Sequence, residues 1–250
     1  MLISHHLERY REAILSLPMD RPLIKEDLLT REFLMAESGD VKMYYAPHNE
    51  YINSPAKIMI AGLTPGWTQM KAAMEAARAG LEEHLSDEEV CRIAKEAASF
   101  AGTMRSNLVQ MLDALELPQA LDIPDSRGLF QAQRMLLHTT SVLRYPVFVA
   151  GKNYSGTRPD LLNNTLLKEN ALAAAAEELR MVPQALVVPL GTVAESVLQL
   201  LVQEGRLDPG RCLWGFPHPS GANGHRHRQF ALRREQMKEE LSLFFAKQNK

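Results

Sequence analysis

The stretch Lys57-Ile58-Met59-Ile60-Ala61-Gly62-Leu63-Thr64-Pro65-Gly66 decides the fold class of this chain. Its first half, residues 57–61, is almost entirely apolar, which is typical of a strand buried on both faces of a parallel sheet. The strand leads directly into a loop with two glycines and a proline, and a helical pattern follows over Met70–Arg78, closed by Gly80. A buried strand, a tight turn and a helix in this order predict one unit of an α/β fold.

The same alternation of strands and helices continues along the chain. The predicted strands are 41–45, one within 135–149, 185–191 and 213–216, and the predicted helices are 5–17, 86–100, 106–115, 161–180, 192–204 and a final basic helix. This order predicts a three-layer α/β sandwich with a short, mainly parallel central sheet flanked by helices. The sequence shows no internal repeat and no linker, so we expect a single domain over 1–250 with a helical N-terminal extension over about 1–40.

Composition narrows the class of protein. The chain has 250 residues, of which 46% are hydrophobic and 23% charged, so it can bury a sizeable core without covalent staples. The net charge of -2 excludes a uniformly basic nucleic-acid coat, and two cysteines, Cys91 and Cys212, exclude a disulfide framework. The apolar runs fall well short of the roughly 20 residues that a bilayer requires. We therefore expect a cytoplasmic protein with reduced thiols and no membrane partner.

Charge is concentrated near the C-terminus. Residues 221–250 contain seven Lys or Arg and three Glu, which gives this segment a net charge of +4. The rest of the chain is acidic. Such a field can steer an anion to one face of a protein that is nearly neutral overall.

Two loops carry candidate chemistry, because ligands of open parallel sheets bind outside the carboxyl ends of the strands. The first is Gly62–Gly66, and the second is His218-Pro219-Ser220-Gly221, directly before the basic helix. Each loop taken alone also fits a tight turn or a helix cap. A metal site at His218, His225 and His227 is disfavoured because the spacing matches no zinc pattern, so we expect no metal cluster and no cofactor. A serine hydrolase is disfavoured because no Gly-x-Ser-x-Gly motif is present.

Taken together, the two loops resemble the uracil-DNA glycosylase superfamily. Gly62-Leu63-Thr64-Pro65-Gly66 is similar to the first motif, Gly-x-Asn-Pro-Gly, and His218-Pro219-Ser220 matches the second motif. Between them, 137–142 resembles the second strand of that superfamily, and 183–194 its third strand, which ends in Leu-Gly. The resemblance covers roughly residues 41 to 245 and implies the glycosylase fold and DNA as the partner.

The resemblance also implies a site. A glycosylase holds an everted base in a pocket, and cleavage of the N-glycosidic bond puts negative charge on O2 of that base. The resemblance assigns His218 and the backbone amide of Leu63 to this charge, Thr64 to the attacking water, and Trp67 or Phe100 to the floor under the base. The implied base-binding residues are Gly62, Leu63, Pro65, Gly66, Trp67 and Thr140. The implied phosphate or DNA contacts are Ser220, Gly221, Asn223, Arg226 and Arg228, with Arg233 and Arg234 in support.

Three positions depart from the superfamily pattern. Thr64 stands where Asn, Asp or Glu usually orients the water, and a hydroxyl is a poor general base. Thr140 stands where an Asn usually reads the pyrimidine edge, and Ala222 stands in the wedge region that usually carries Leu or Arg. His48 or Glu50 is the alternative water activator.

These observations leave three functions open. The first is a DNA glycosylase that excises uracil or a damaged base in DNA repair. The second is a catalytically weak or inactive member of the same fold that binds nucleic acid or nucleotides. The third is an unrelated α/β enzyme whose glycine-rich loop binds a phosphorylated small molecule. Base release distinguishes the first from the second, and nucleic-acid affinity distinguishes both from the third.

Overall fold

The structure, a computed structural model, describes residues 1–248. The helices are α1 (His6–Leu15), α2 (Lys25–Leu28), α3 (Trp67–Glu82), α4 (Asp87–Ala97), α5 (Gly102–Ala114), α6 (Leu117–Leu121), α7 (Thr165–Met181), α8 (Thr192–Gln203) and α9 (Arg226–Gln248). The strands are β1 (Leu34–Ser38), β2 (Val41–Tyr44), β3 (Ile58–Gly62), β4 (Leu137–Ser141), β5 (Val147–Val149), β6 (Lys152–Asn153) and β7 (Leu186–Pro189). The protein is therefore α/β, as predicted.

The chain forms two compact units, each assembled from three segments. The antiparallel unit comprises 1–52, 63–99 and 143–178, and the parallel unit comprises 53–62, 100–142 and Leu179 onward. Each unit contains one sheet and is described by itself.

The sheet of the parallel unit has the strand order β4-β3-β7, with β3 parallel to both neighbours. All five residues of β3 are buried, which explains the continuous apolar run in the sequence. The register sets Ala61 beside Thr140 on one side and Pro189 on the other. The carboxyl ends of three strands therefore lie at one edge of this sheet.

One apolar core supports the sheet of the parallel unit. Ile58 and Ile60 of β3 share this core with Leu112 of α5 and Leu241 of α9. Phe216, in the loop before α9, belongs to the same core. Helix α6 packs against both α5 and α9. The helices thus fix the sheet and the loops that leave its carboxyl edge.

The antiparallel unit contains a four-stranded sheet of order β1-β2-β5-β6, in which every neighbouring pair is antiparallel. The sequence predicts only β2 of this sheet. Strand β1 is Leu-Met-Ala-Glu-Ser and lies within the segment expected to be helical, while β5 and β6 have three and two residues. Strands that are this short, or in which half of the residues are polar, show no clear hydrophobic periodicity in the sequence.

Aromatic and aliphatic side chains form the interior of the antiparallel unit. Helix α1 buries Leu7, Tyr10 and Ile14, and the Tyr10 ring stacks on Tyr45 with 4.1 Å between ring centroids. Ser86 caps α4, since the backbone N–H of Glu89 donates to Ser86 Oγ.

Two sequence predictions of local structure are wrong. Gly80 does not end a helix, because α3 continues to Glu82; a side chain at Gly80 would lie 2.8 Å from Ile93 Cδ1, so the glycine permits close packing of α3 on α4. Residues 213–216 do not form a strand. Only an isolated bridge joins Cys212 to Val187, and the chain then turns at Gly215, whose φ is +79°.

Candidate active site

The carboxyl edge of the parallel sheet is formed by small residues. Gly62 ends β3 and pairs with Ser141, which ends β4. A Cβ at Gly62 would lie 3.5 Å from Ser141 Oγ and 3.7 Å from the Thr140 carbonyl oxygen. These are ordinary contact distances, so the predicted base-binding residue Gly62 is packed beside Ser141 and Thr140 at the edge of the sheet.

His218 lies at the same edge, where β7 ends. Gly191 follows β7, and its backbone N–H donates to the Phe216 carbonyl oxygen at 3.0 Å. Gly191 has φ +86° and ψ 171°, a backbone conformation reserved for glycine. A Cβ at Gly191 would approach His218 Cβ to 3.1 Å. The glycine therefore allows the histidine backbone to pack directly against the end of the strand.

The hydrogen bonding of His218 defines its tautomer. The backbone N–H of Ser220 donates to His218 Nδ1 at 3.2 Å, so Nδ1 is an acceptor and the ring proton resides on Nε2. His218 is half-buried, and this burial lowers its pKa below 6.5. At neutral pH the ring is therefore uncharged and offers an Nε2–H donor.

The turn that carries His218 is anchored by two asparagine side chains. Asn107 of α5 donates its Nδ2–H to the Pro219 carbonyl oxygen at 2.8 Å, and Asn223 Nδ2 donates to the His218 carbonyl oxygen at 3.2 Å. Ser220 Oγ accepts the backbone N–H of Ala222 at 3.1 Å. These bonds hold the imidazole in place before any ligand binds. Asn107 could not be identified from the sequence, because nothing near it distinguishes it from other polar helix residues.

Asn223 has a structural role that its predicted phosphate contact would disturb. Its Nδ2 donates to His218 and to Gln229 Oε1, and its Oδ1 accepts the backbone N–H of His225. Both polar atoms of the side chain are thus engaged within the turn. Asn223 stabilises the loop rather than presenting a free donor.

Thr140 lies near the carboxyl end of β4 and is 6% exposed. Among residues 1–248, its hydroxyl has no hydrogen-bond partner. A buried hydroxyl without a partner costs roughly 1–3 kcal/mol. The predicted base-reading position therefore carries a polar atom that the protein itself does not satisfy.

A cleft of about 320 Å³ opens beside His218 within the parallel unit. Its polar walls include Glu195, Gln229 and Arg233, and its apolar wall includes Leu232. Glu195 is already engaged, because its Oε2 accepts the backbone N–H of Gly215 at 2.8 Å. The other polar side chains of this cleft are the amide of Gln229 and the charged guanidinium of Arg233.

The arginines of α9 differ in their partners. The Arg234 guanidinium pairs with Glu235, and Arg233 donates to Gln236 Oε1. Arg226 reaches the Asn223 carbonyl oxygen at 3.4 Å. Arg228 is exposed and, as far as the described chain shows, forms no ion pair. Arg228 is therefore the arginine of this group most available to a phosphate.

The first predicted motif continues into the antiparallel unit, where Thr64 holds its loop in place. Thr64 Oγ1 donates to the Tyr145 carbonyl oxygen at 3.0 Å and accepts the backbone N–H of Val147 at 3.0 Å. The proton of the hydroxyl and one of its lone pairs are both used. Thr64 is thus a positioning residue, and the geometry gives no support to a role in activating water.

The rest of this loop is also tied to backbone and amide groups. The Leu63 carbonyl oxygen accepts the backbone N–H of Leu143, and Pro65 is buried. Gly66 donates to Gln69 Oε1, and the backbone N–H of Trp67 donates to Asn153 Oδ1 at 3.0 Å. Trp67 begins α3 and is half-buried. The predicted roles of the Leu63 amide and the Trp67 ring stay predictions.

Both alternative water activators lie inside the antiparallel unit. Glu50 is fully buried and accepts hydrogen bonds from Ser4 Oγ and Tyr145 Oη. His48 is 3% exposed, and burial lowers its pKa to about 3. Neither ring nitrogen of His48 has a hydrogen-bond partner within the described residues. These side chains are interior groups, so their placement does not favour water activation.

Phe100, the second candidate for the floor under the base, is a core residue. It is 7% exposed and belongs to the apolar cluster of the parallel unit with Leu108 and Phe216. Its ring therefore packs in the apolar core of the parallel unit.

A buried ionic group in the antiparallel unit was not predicted. Arg144 donates to Glu178 Oε1 at 3.0 Å and to Glu177 Oε2 at 2.9 Å. Lys95 is buried near Glu178, and desolvation lowers its pKa to about 8. These residues lie far apart in sequence, and each has the pattern of an ordinary charged helix or loop residue.

The described residues contain neither a membrane-spanning helix nor a cluster of metal ligands. In residues 1–248, no helix combines the length and apolarity needed to cross a membrane. Over the same residues, no cluster of three or more His, Cys, Asp or Glu side chains has an arrangement that could hold a metal ion.

Comparison with known proteins gives a match over nearly the whole chain. The chain is 43% identical over 241 residues to a Bacillus subtilis (strain 168) protein named "Uncharacterized protein YoxB", and the match covers 96% of this chain and 93% of that protein. No protein-family model matches the sequence.

Proposed function

The chain belongs to the same family as the Bacillus subtilis protein YoxB, and we propose that it cleaves the N-glycosidic bond of an everted nucleobase in DNA, the function that its own site supports best. The proposal includes the uracil-DNA glycosylase-like fold that the two motifs imply. The base would lie at the carboxyl edge of the parallel sheet, where Gly62, Thr140 and His218 are placed.

The state of His218 carries this proposal. Bond cleavage transfers the bonding electrons to the base, whose carbonyl oxygen becomes negative. A preorganised N–H donor stabilises that charge by on the order of 3 kcal/mol. His218 has the required form, a neutral ring with Nε2–H free and Nδ1 held by Ser220. Water then adds to C1′ of the sugar, and its proton neutralises the departing base.

Leaving-group stabilisation supplies most of the proposed catalysis. Thr64 is engaged with backbone, and His48 and Glu50 are interior residues. Because none of these three residues acts as a general base, the water attacks C1′ of the sugar after that carbon has acquired cationic character. This reasoning predicts a slow enzyme rather than a fast one.

The DNA strand would be held by the second motif and the start of α9. Ser220, Gly221, Arg226 and Arg228 lie on or beside the turn that follows His218. Phosphate contacts of this type make affinity fall as salt rises. Asn223 contributes by fixing the turn.

A second candidate function is binding of nucleic acid or a nucleotide without turnover. The occupied hydroxyl of Thr64 favours it, because that position carries the residue that orients water in the superfamily which the sequence resembles. The two candidates share one binding site and differ only in product.

A base-release screen tests the proposal. The purified protein is incubated with oligonucleotides that carry uracil, a thymine mismatch, hypoxanthine or an alkylated base, and free base and abasic strand are both quantified. Release from at least one substrate, lost in His218→Ala, supports glycosylase activity. Salt-dependent binding with no release on any substrate rejects catalysis and supports the second candidate.

A further inference from the structure

A second cavity lies in the parallel unit, away from the residues that the proposed function uses. Its volume is about 430 Å³, within the usual range of small-molecule sites. One wall comes from α5, with Arg105, Gln110 and Asp113. The other wall comes from the segment that carries Arg127 and Phe130.

Arg105 is a half-buried cation in this cavity. Its Cζ lies 5.3 Å from the centroid of the Phe130 ring, and its Nε donates to the Phe100 carbonyl oxygen. Within residues 1–248 it has no carboxylate partner, and neither of its Nη atoms has a hydrogen bond. The aromatic ring offsets part of the cost of burying the charge. The N–H groups on the two Nη atoms have no hydrogen-bond partner among the described residues and can bind a ligand.

A second arginine makes this region more positive. Arg134 is close enough to oppose the charge of Arg105, and the pKa of Arg105 is lowered by burial and by Arg134. Arg134 also forms no ion pair in the part of the chain that is described. Charged groups taken out of water are ordinarily paired. Two neighbouring arginines that form no ion pair therefore leave positive charge that a bound anion would compensate.

The remaining charged groups at the cavity are already satisfied. Arg127 donates through Nε and Nη2 to Asp125 Oδ2. Asp113 Oδ1 accepts the backbone N–H of Ser126 at 2.8 Å. A backbone amide does not neutralise the carboxylate of Asp113, so Arg105, Arg127 and Arg134 stand against Asp113 and Asp125 and leave a net charge of +1 at the cavity.

We propose that this cavity binds a nucleotide through its phosphate group, held by the guanidinium of Arg105. The planar fork of arginine matches phosphate oxygens in a bidentate manner. The amides of Gln110 and Gln131 line the same cavity and can pair with the polar edge of a base. The nucleotide is either free in solution or one unit of a nucleic-acid strand. This site is independent of His218 and of base release.

The test measures the affinity of four probes by calorimetry: thymidine monophosphate, thymidine, inorganic phosphate and a short oligothymidylate. Arg105→Gln removes the charge, and Arg105→Lys keeps the charge without the fork. Arg206→Gln is the control, because Arg206 is an exposed arginine of the same unit that pairs with Glu204 outside the cavity. Thermal unfolding of each variant verifies that it is folded. If Arg105→Gln does not fold, Arg105→Lys and Arg134→Gln carry the test.

We expect Arg105→Gln to weaken phosphate-dependent binding by about tenfold or more, as for loss of a charged hydrogen bond. Arg105→Lys should weaken it less, and Arg206→Gln should change it by less than about twofold. An effect on thymidine monophosphate identifies a free nucleotide, and an effect on the oligothymidylate alone identifies a strand. The proposal is overturned if thymidine binds as tightly as its monophosphate, or if no probe distinguishes the Arg105 variants from Arg206→Gln. Neither result bears on whether the wild-type protein releases a base.

Discussion

The backbone N–H of Ser220 donates to Nδ1 of His218 at 3.2 Å, and this single bond decides what the histidine can do. It places the ring proton on Nε2 and opposes protonation of Nδ1, in the same direction as burial, which lowers the pKa of His218. His218 is therefore held as a neutral hydrogen-bond donor. A donor of this type suits a leaving group that becomes negative, such as a nucleobase.

Gly191→Ala should displace His218 and destabilise the protein, although the substitution adds only one methyl group. The substitution adds a Cβ at 3.1 Å from His218 Cβ and forces alanine into a conformation that costs on the order of 1–3 kcal/mol. Gly205→Ala is the control, since Gly205 has φ +69° but would place its Cβ more than 4 Å from other groups. Urea unfolding and base release are measured for both variants. Equal losses in the two variants would refute the inferred contact between Gly191 and His218.

Thr64→Val should destabilise the protein, because it leaves the Tyr145 carbonyl oxygen and the Val147 N–H without their partner. The expected loss in free energy of unfolding is about 2–4 kcal/mol, from two buried groups. Thr64→Ser keeps the hydroxyl and should unfold close to the wild type. If Thr64→Val has wild-type stability, the hydroxyl does not hold the loop and the assigned positioning role is wrong.

His48 should make stability depend on pH. The pKa of His48 is about 3 in the folded protein, below the ordinary value of 6.5 that applies to the unfolded chain. Between pH 3 and 6.5 the unfolded chain therefore binds a proton at His48 that the folded protein does not bind. Its contribution is therefore fully present above pH 6.5 and is lost as pH falls towards 3, at up to about 1.4 kcal/mol per pH unit. The difference in unfolding free energy between wild type and His48→Phe, measured across this window, isolates the histidine from the carboxylates. A difference that does not change with pH would contradict the burial of a neutral His48.

Arg228 should contribute to DNA affinity in a salt-dependent manner. The exposed guanidinium has no ion pair among the described residues, so a phosphate would displace counterions rather than a protein carboxylate. Arg228→Gln should weaken oligonucleotide binding at low salt and reduce the slope of log affinity against log salt by about 1. Arg234→Gln, which removes an arginine paired with Glu235, should change the slope less. A larger effect from Arg234 would place the strand elsewhere on α9.

The parallel sheet could be predicted from sequence, whereas most of the antiparallel sheet could not. Buried runs such as 57–61 and 185–191 have no polar interruption, and few structures other than a covered strand accommodate them. Strands β5 and β6 have five residues between them and depend on pairing with β2, which no local pattern reveals. The strand expected at 213–216 fails because Gly215 turns the chain.

Candidate site residues could be located from sequence, but their partners could not. Gly62 lies at the sheet edge as a strand-end residue should, whereas His218 reaches that edge through a turn beside Gly191 and not at the end of the predicted strand. The state of Thr64 depends on Tyr145 and Val147, about eighty residues away in the chain. The engagement of Asn223 likewise depends on the conformation of its turn. Hydrogen-bond partners of this kind become visible only when the chain is folded.

Release of free uracil from a single-stranded oligonucleotide, followed over time for wild type and His218→Ala, is the decisive measurement for the proposed role of His218. We expect slow release by the wild-type protein and a loss of about 10²–10³-fold in the variant, the usual effect of removing one preorganised donor. Gly205→Ala, folded and outside the site, should retain the wild-type rate. Uracil release that survives unchanged in His218→Ala would contradict the account, since the leaving base would then be stabilised by some other group.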